Sequence, residues 1–206
     1  MSDSEFIKDR LVAGIKSLEL DMDVDKLFGY LSLLHKWNQA YNLTAVRDME
    51  SMVARHVLDS LAITGWIKAT DVLDVGTGPG LPGIPLALAR PDLNIVLLDS
   101  NGKKIRFLRE VKRVLSLNNI DIVQTRVEDY HREDGFDTIV SRAFSELQTM
   151  MDWTKHLIAK QGIWVAMKGR HPDAELASIQ QHYRVETYAV TGVEGERCCI
   201  IIDNKG

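Results

Sequence analysis

The chain has no run approaching the roughly 18 apolar residues that cross a bilayer. Its opening, MSDSEFIKDR, is charged from Asp3 onward and lacks the apolar stretch of a secretory leader. No membrane or export signal is therefore expected, and a cytoplasmic location is. Cysteine is scarce: Cys198 and Cys199 are adjacent inside an apolar run, which excludes a disulfide framework and suits small buried residues in a reducing setting. HxxxH, CxxC and paired-carboxylate spacings are missing, so no metal site is expected, and His35, His56, His131, His156, His171 and His182 are scattered. There is no internal repeat and no surplus of positive charge. With a formal net charge of −4, any contact with nucleic acid would need a local basic surface.

What is present fits one substantial core. A chain of 206 residues with 45% hydrophobic content accommodates a single α/β domain and a small extension. Ile7, Leu11, Ile15 and Leu18 recur at helical spacing, as do Val24, Leu27, Leu31, Leu34 and Trp37, and a third helix is predicted over 48–63. Beyond Thr70 the pattern changes to short apolar runs at 72–75, 95–98, 120–123, 138–140, 163–167, 185–190 and 198–202, with crossover helices between most of them. That alternation predicts a seven-stranded, mainly parallel sheet covered on both faces. The link from Gly192 to Gly195 is too short for a parallel crossover, so the last strand must run antiparallel to the sixth. The expected division is an N-terminal helical extension over 1–68 and a ligand-binding domain over 69–206, packed as one unit.

The segment VLDVGTGPGLPGIPLALA (72–89) carries the most information, because a buried strand runs into a glycine loop and then a helix. Gly76, Gly78 and Gly80 permit backbone conformations and close ligand approach that a β-carbon would obstruct. Pro82 stands where a helix can begin, since its missing N–H would have no intrahelical partner there. Gly78, Gly80 and Gly83 also satisfy the dinucleotide pattern GxGxxG. The acidic Asp74 before the first glycine, giving DxGxGxG, instead resembles the first motif of the class I methyltransferases, a Rossmann-like fold that binds S-adenosylmethionine. Asp99 closes the next strand about 20 residues on, the spacing of a ribose-hydroxyl acceptor, and it also suits the cap of the helix that follows.

Blocks along nearly the whole chain extend the likeness. LHKWNQAYNLTAVRD (34–48), RHVLDSL (55–61), DVGTGPGLPGIPLA (74–87), LLDSNGKKIRFLREV (97–111), RVEDY (126–130), VSRAF (140–144) and MKGR (167–170) resemble the bacterial RsmG, or GidB, family of methyltransferases. That family modifies N7 of a guanine in small-subunit ribosomal RNA. The resemblance implies S-adenosylmethionine as cofactor, held by Gly76, Leu81, Val127, Glu128 and Arg142. Asp74, Gly78, Gly80 and Asp99 join them from the loop and strand-end argument.

Methylation at N7 would need no general base, because neutral guanine already carries a lone pair there. Catalysis would then rest on in-line positioning. Arg142, at the end of the fourth predicted strand, is the expected positioning residue for substrate or cofactor. Ser141, Arg142, Ala143 and Phe144 stand where amine-methylating enzymes carry an (N/D)PP(Y/F) motif. Candidate RNA contacts are Lys103 and Arg106 on a basic helix over 101–117, together with Arg47, Arg55, Lys168, Arg170 and Arg197. For the basic helix a solvated face over the sheet is the competing reading. The expected partner is 16S rRNA within the assembled small subunit, bound by a monomer. A small-molecule methyltransferase and a nonenzymatic RNA-binding protein on the same fold are the alternatives.

Overall fold

The apolar runs beyond Thr70 form one sheet in a computed structural model that describes residues 2–204. Its strands are β1 (Asp71–Val75), β2 (Asn94–Asp99), β3 (Ile120–Gln124), β4 (Phe136–Arg142), β5 (Ile158–Lys168), β6 (Tyr183–Tyr188) and β7 (Arg197–Asp203). They lie in the order β3-β2-β1-β4-β5-β7-β6. Neighbours from β3 through β5 pair in parallel, and β7 inserts antiparallel between β5 and β6. Strand order reverses beside β1, with β2 on one side and β4 on the other, so a crevice opens at their carboxyl ends.

Alternation along the strands feeds two cores. Val72, Ile95, Leu97, Val140, Val165 and Ile201 face one of them, and Leu73, Val75, Val96, Ile139, Trp164 and Ile200 the other. Successive side chains point to opposite faces, so Cys198 enters the second core and Cys199 the first, both fully buried and unbridged. Leu147 and Met150 of α7 (Leu147–Thr154) and Leu176 of α8 (Asp173–Leu176) cover the second face.

On the first face lie α1 (Asp3–Ser17), α2 (Val24–Tyr41), α5 (Gly83–Ala89) and α6 (Gly102–Leu115). Ser2 and Glu5 close α1 with a reciprocal capping box, and Asn42 ends α2 in the left-handed conformation at φ 52°. The N-terminal helices thus share the sheet's own core.

The single helix predicted over 48–63 is instead three segments: α3 (Met49–Met52), a π-helix (Val53–Leu58) and α4 (Asp59–Leu61). Apolar periodicity locates such a stretch but cannot register one widened turn. The π segment and α4 carry His56 and Asp59 to side-chain contacts with Arg142 at the end of β4.

Phe107 fixes α6 to α2. Its ring, fully buried, stands 6.3 Å from Tyr30 and 5.7 Å from Trp37. Phe107→Ala is expected to destabilise the protein by about 3–5 kcal/mol, from lost burial plus a residual cavity. Urea unfolding checks this, and a loss below about 1 kcal/mol would mean that the interface collapses to fill the gap.

Candidate functional site

The glycine loop after β1 is held from below by Asp74. This fully buried carboxylate accepts from Thr77 Oγ1 at 2.6 Å and from the Gly83 amide at 2.8 Å, which ties the loop to the start of α5. Both bonds use Oδ2, and Oδ1 is buried without a partner among the described residues. Asp99 ties the loop from the side: Oδ2 accepts from the Gly78 amide at 2.9 Å and Oδ1 from the Asn101 amide at 2.8 Å. Tyr30 of α2 donates its hydroxyl to the Pro79 carbonyl at 2.9 Å, so the N-terminal helices also brace the loop. Gly76, Gly78 and Gly80 all have positive φ, at 65°, 62° and 96°.

These supports border a cleft of about 390 Å³, a volume suited to a nucleoside-sized ligand. Gly76, Asp99, Val127 and Glu128 line this cleft together. Val127 and Glu128 lie in a single 3₁₀ turn (Val127–Asp129) after β3. The remaining expected cofactor residues stand elsewhere. Asp74 lies beneath the loop, Gly80 packs against Ile84 and Leu108, and Leu81 is a core residue 2% exposed. A β-carbon on Gly78 would meet nothing nearer than Lys104 Nζ at 3.8 Å. The cap of α6 is Asn101, which accepts from the Lys103 amide, while Asp99 stays on the cleft wall.

Arg142 lines a second pocket, of about 320 Å³, that meets the first at Ala143. Ala143 holds φ at 51°, rare for a residue with a β-carbon and often associated with functional sites. Arg142 donates to the Arg55 carbonyl at 2.9 Å and stands 3.6 Å from Asp59 Oδ2. Arg197 reaches the same Asp59 at 3.4 Å, and Tyr188 donates its hydroxyl to it at 3.1 Å.

Of the basic residues proposed for RNA, Arg55, Lys168 and Arg197 line this pocket. Lys168 is half-buried and engaged: it pairs with Glu175 at 2.8 Å and donates to the Ser145 carbonyl, anchoring α8 to β5. Arg47, Lys103, Arg106 and Arg170 are exposed, and on α6 Ile105, Phe107, Leu108 and Val111 form the buried face beneath the basic one.

Several lining residues escaped the sequence argument. Lys104, Arg126 and Trp153 border the first cleft, and Asp59 and Tyr188 the second. Asp59 did leave a trace, as an acid followed by Ser60 between the apolar Val57, Leu58 and Leu61.

Burial pushes Asp74 up to about 7, against the Thr77 and Gly83 hydrogen bonds that pull it down. A raised carboxylate means that the folded state keeps a proton the unfolded chain releases between about pH 4 and 7. Stability from this group therefore falls as pH rises through that window and levels off above it. Asp74→Asn cannot lose that proton, so its stability relative to the native chain should climb with pH by up to about 1.4 kcal/mol per unit. Denaturant unfolding at pH 4.5, 5.5 and 6.5 checks the slope, and a flat difference would place the titration elsewhere.

Comparison with known proteins agrees with this architecture. A family model described as rRNA small subunit methyltransferase G matches residues 23–198. A protein named ribosomal RNA small subunit methyltransferase G from Legionella pneumophila (strain Philadelphia 1) is 60% identical, over 99% of this chain and 98% of its own. Its namesake from Pseudomonas aeruginosa (strain LESB58) is 50% identical, over 94% of each chain. Among solved structures, a SAM-dependent methyltransferase from Aquifex aeolicus superposes with a TM-score of 0.56 at 14% identity, over 74% of this chain and 92% of that one, a likeness of fold. The seven-stranded sheet with its reversed last strand is the class I methyltransferase fold. With the sequence match running from α2 into β7, the chain belongs to the rRNA small subunit methyltransferase G family.

Proposed function

We propose that this protein transfers a methyl group from S-adenosylmethionine to N7 of a guanine in 16S rRNA, acting as a cytoplasmic monomer on the small ribosomal subunit. The observation that carries this reading is the pair of pockets meeting at Ala143, one shaped by the glycine loop and the other lined with arginines. The residues of the first fit the cofactor. Gly76 leaves room against the loop backbone, Asp74 ties that loop in place from beneath, Asp99 is available to ribose hydroxyls, and Val127 and Glu128 to adenine. S-adenosylmethionine supplies, when bound, a methyl on a cationic sulfur, which an unprotonated ring nitrogen accepts without first losing a proton.

The protein's work is accordingly to position. Arg142 is held by the Arg55 carbonyl and by Asp59, so its guanidinium is oriented before substrate arrives. Exposed Arg47, Arg55, Lys103, Arg106 and Arg170 offer phosphate contacts on a chain whose net charge is −4, whereas Arg197 is committed to Asp59. A local patch on an acidic protein favours a folded ribonucleoprotein over naked RNA.

The test is transfer of labelled methyl to small subunits from cells lacking this protein, with the site mapped by borohydride reduction and aniline cleavage. Label at one guanine N7 is the expected result. Equal labelling of protein-free rRNA would remove the preference for assembled subunits, and no incorporation despite cofactor binding would overturn the assignment of substrate.

A further inference from the structure

The second pocket has a chemical character of its own. Its floor is Asp59, 5% exposed, whose Oδ1 accepts from the Tyr188 hydroxyl at 3.1 Å and lies 3.4 Å from Arg197 Nε, an ion pair without a hydrogen bond. Oδ2 stands 3.6 Å from Arg142, an ion-pair distance longer than a hydrogen bond. Arg142 has donors to spare as well, since one of its five N–H groups goes to the Arg55 carbonyl and another approaches His56 Nδ1 at 3.4 Å.

An arginine can only donate, so His56 Nδ1 accepts and its proton sits on Nε2, directed at Thr44 Oγ1 at 2.7 Å. Burial, reinforced by the Arg142 charge, pushes His56 down to about 4, and it adds no cation at neutral pH. The pocket thus offers an underused carboxylate oxygen beside an underused guanidinium. A carboxylate floor disfavours phosphate, whereas a flat ligand edge with donors for Asp59 and an acceptor for Arg142 satisfies both.

Among the RNA bases, one Watson–Crick edge presents that order. Guanine reads acceptor, donor, donor across O6, N1–H and the 2-amino group. Adenine has an acceptor at N1 and no donor at C2, uracil ends in an acceptor, and cytosine presents a donor followed by two acceptors. We infer that this pocket receives the extruded target base, with Asp59 accepting from N1–H and the 2-amino group and Arg142 donating to O6. The imidazole edge, with N7, is then left to face the wall at Ala143 that the pocket shares with the cofactor cleft. The π-helix supports the assignment, because this uncommon element brings His56 and, through α4, Asp59 to one pocket. The inference rests on the guanine-N7 reading above and deepens it by naming the residues that select the base.

The experiment compares methyl transfer to small subunits reconstituted with guanosine or with inosine, which lacks the 2-amino group, at the labelled position. The native chain should prefer guanosine by roughly ten- to hundredfold, the value of one hydrogen bond to a charged acceptor. Asp59→Asn should slow transfer to guanosine by roughly a hundredfold, lose the discrimination, and bind S-adenosylmethionine within about twofold of the native chain. Equal use of guanosine and inosine by the native chain overturns the inference, and this comparison needs no variant. Native-like transfer and discrimination by Asp59→Asn overturn it too. Failure of the native chain to methylate guanosine subunits at all is a separate result, which removes the reading beneath it.

Discussion

A Gly76→Val chain is expected to stay folded and to bind S-adenosylmethionine roughly a hundredfold more weakly than the native protein. Two effects combine. At φ 65° a β-branched residue strains the backbone, at a cost of about 1–3 kcal/mol. Its β-carbon would also run into the Phe144 ring on the wall of the cleft, leaving that ring to shift within the ligand's space. Gly78→Ala separates these contributions, because its β-carbon would have only Lys104 Nζ at 3.8 Å and the Gly76 carbonyl oxygen at 3.9 Å nearby. It should weaken binding less. Gly65→Ala, with nothing within 4 Å of the added carbon, is the control. Calorimetric titration with S-adenosylmethionine, alongside thermal melting, decides the matter. Unchanged affinity in a folded Gly76→Val protein would take the loop out of the site.

Arg142→Ala should show the opposite division: cofactor binding within about threefold of native and methyl transfer reduced by roughly 10²–10³. Arg142 lines the second pocket and reaches the first only through its neighbour Ala143, so its loss acts on substrate. Some stability goes with it, about 1–3 kcal/mol, because buried Asp59 keeps Arg197 and Tyr188 but loses one of two cations. Arg142→Lys tests charge against shape. A lysine supplies the charge without the planar fork, so it should recover stability more fully than activity. Single-turnover transfer measured beside titration gives both numbers. A variant that loses cofactor affinity and transfer equally would move Arg142 to the first cleft.

Different parts of this molecule were legible in the sequence to different degrees, for physical reasons. The seven strands follow from runs such as IVLL (95–98) and CCIII (198–202), because a sheet covered on both faces favours near-continuous apolar residues. The reversed last strand follows from the short link at Gly192 to Gly195, since no crossover fits there. Gly76 and Asp99 could be placed because a glycine loop and the end of the next strand converge at the point where strand order reverses, whereas Val127 and Glu128 came from the family resemblance and from no local pattern.

Less legible was what depends on tertiary company. Lys168 reads as a free cation in the sequence, and only the fold brings Glu175 to it. Leu81 is adjacent to the loop yet turns into the core. Asp59 and Tyr188 are 129 residues apart, and no local pattern joins them. The π-helix hides because one widened turn barely disturbs the apolar spacing around it.

The reversal of β7 has a consequence for the newly made chain. Because β7 runs against β5, its first residue, Arg197, lies at the edge where the parallel strands end, one step beyond the pairing of Lys168 with Cys198. The charged lining of the second pocket therefore comes from residues 55, 59, 142, 168 and 197, which lie far apart in the polypeptide. The glycine loop and β1 through β4 are all synthesised by residue 142, whereas Arg197 joins Asp59 only when the final strand slots in beside β5. During translation the means of holding a donor is thus specified well before the means of choosing an acceptor is complete.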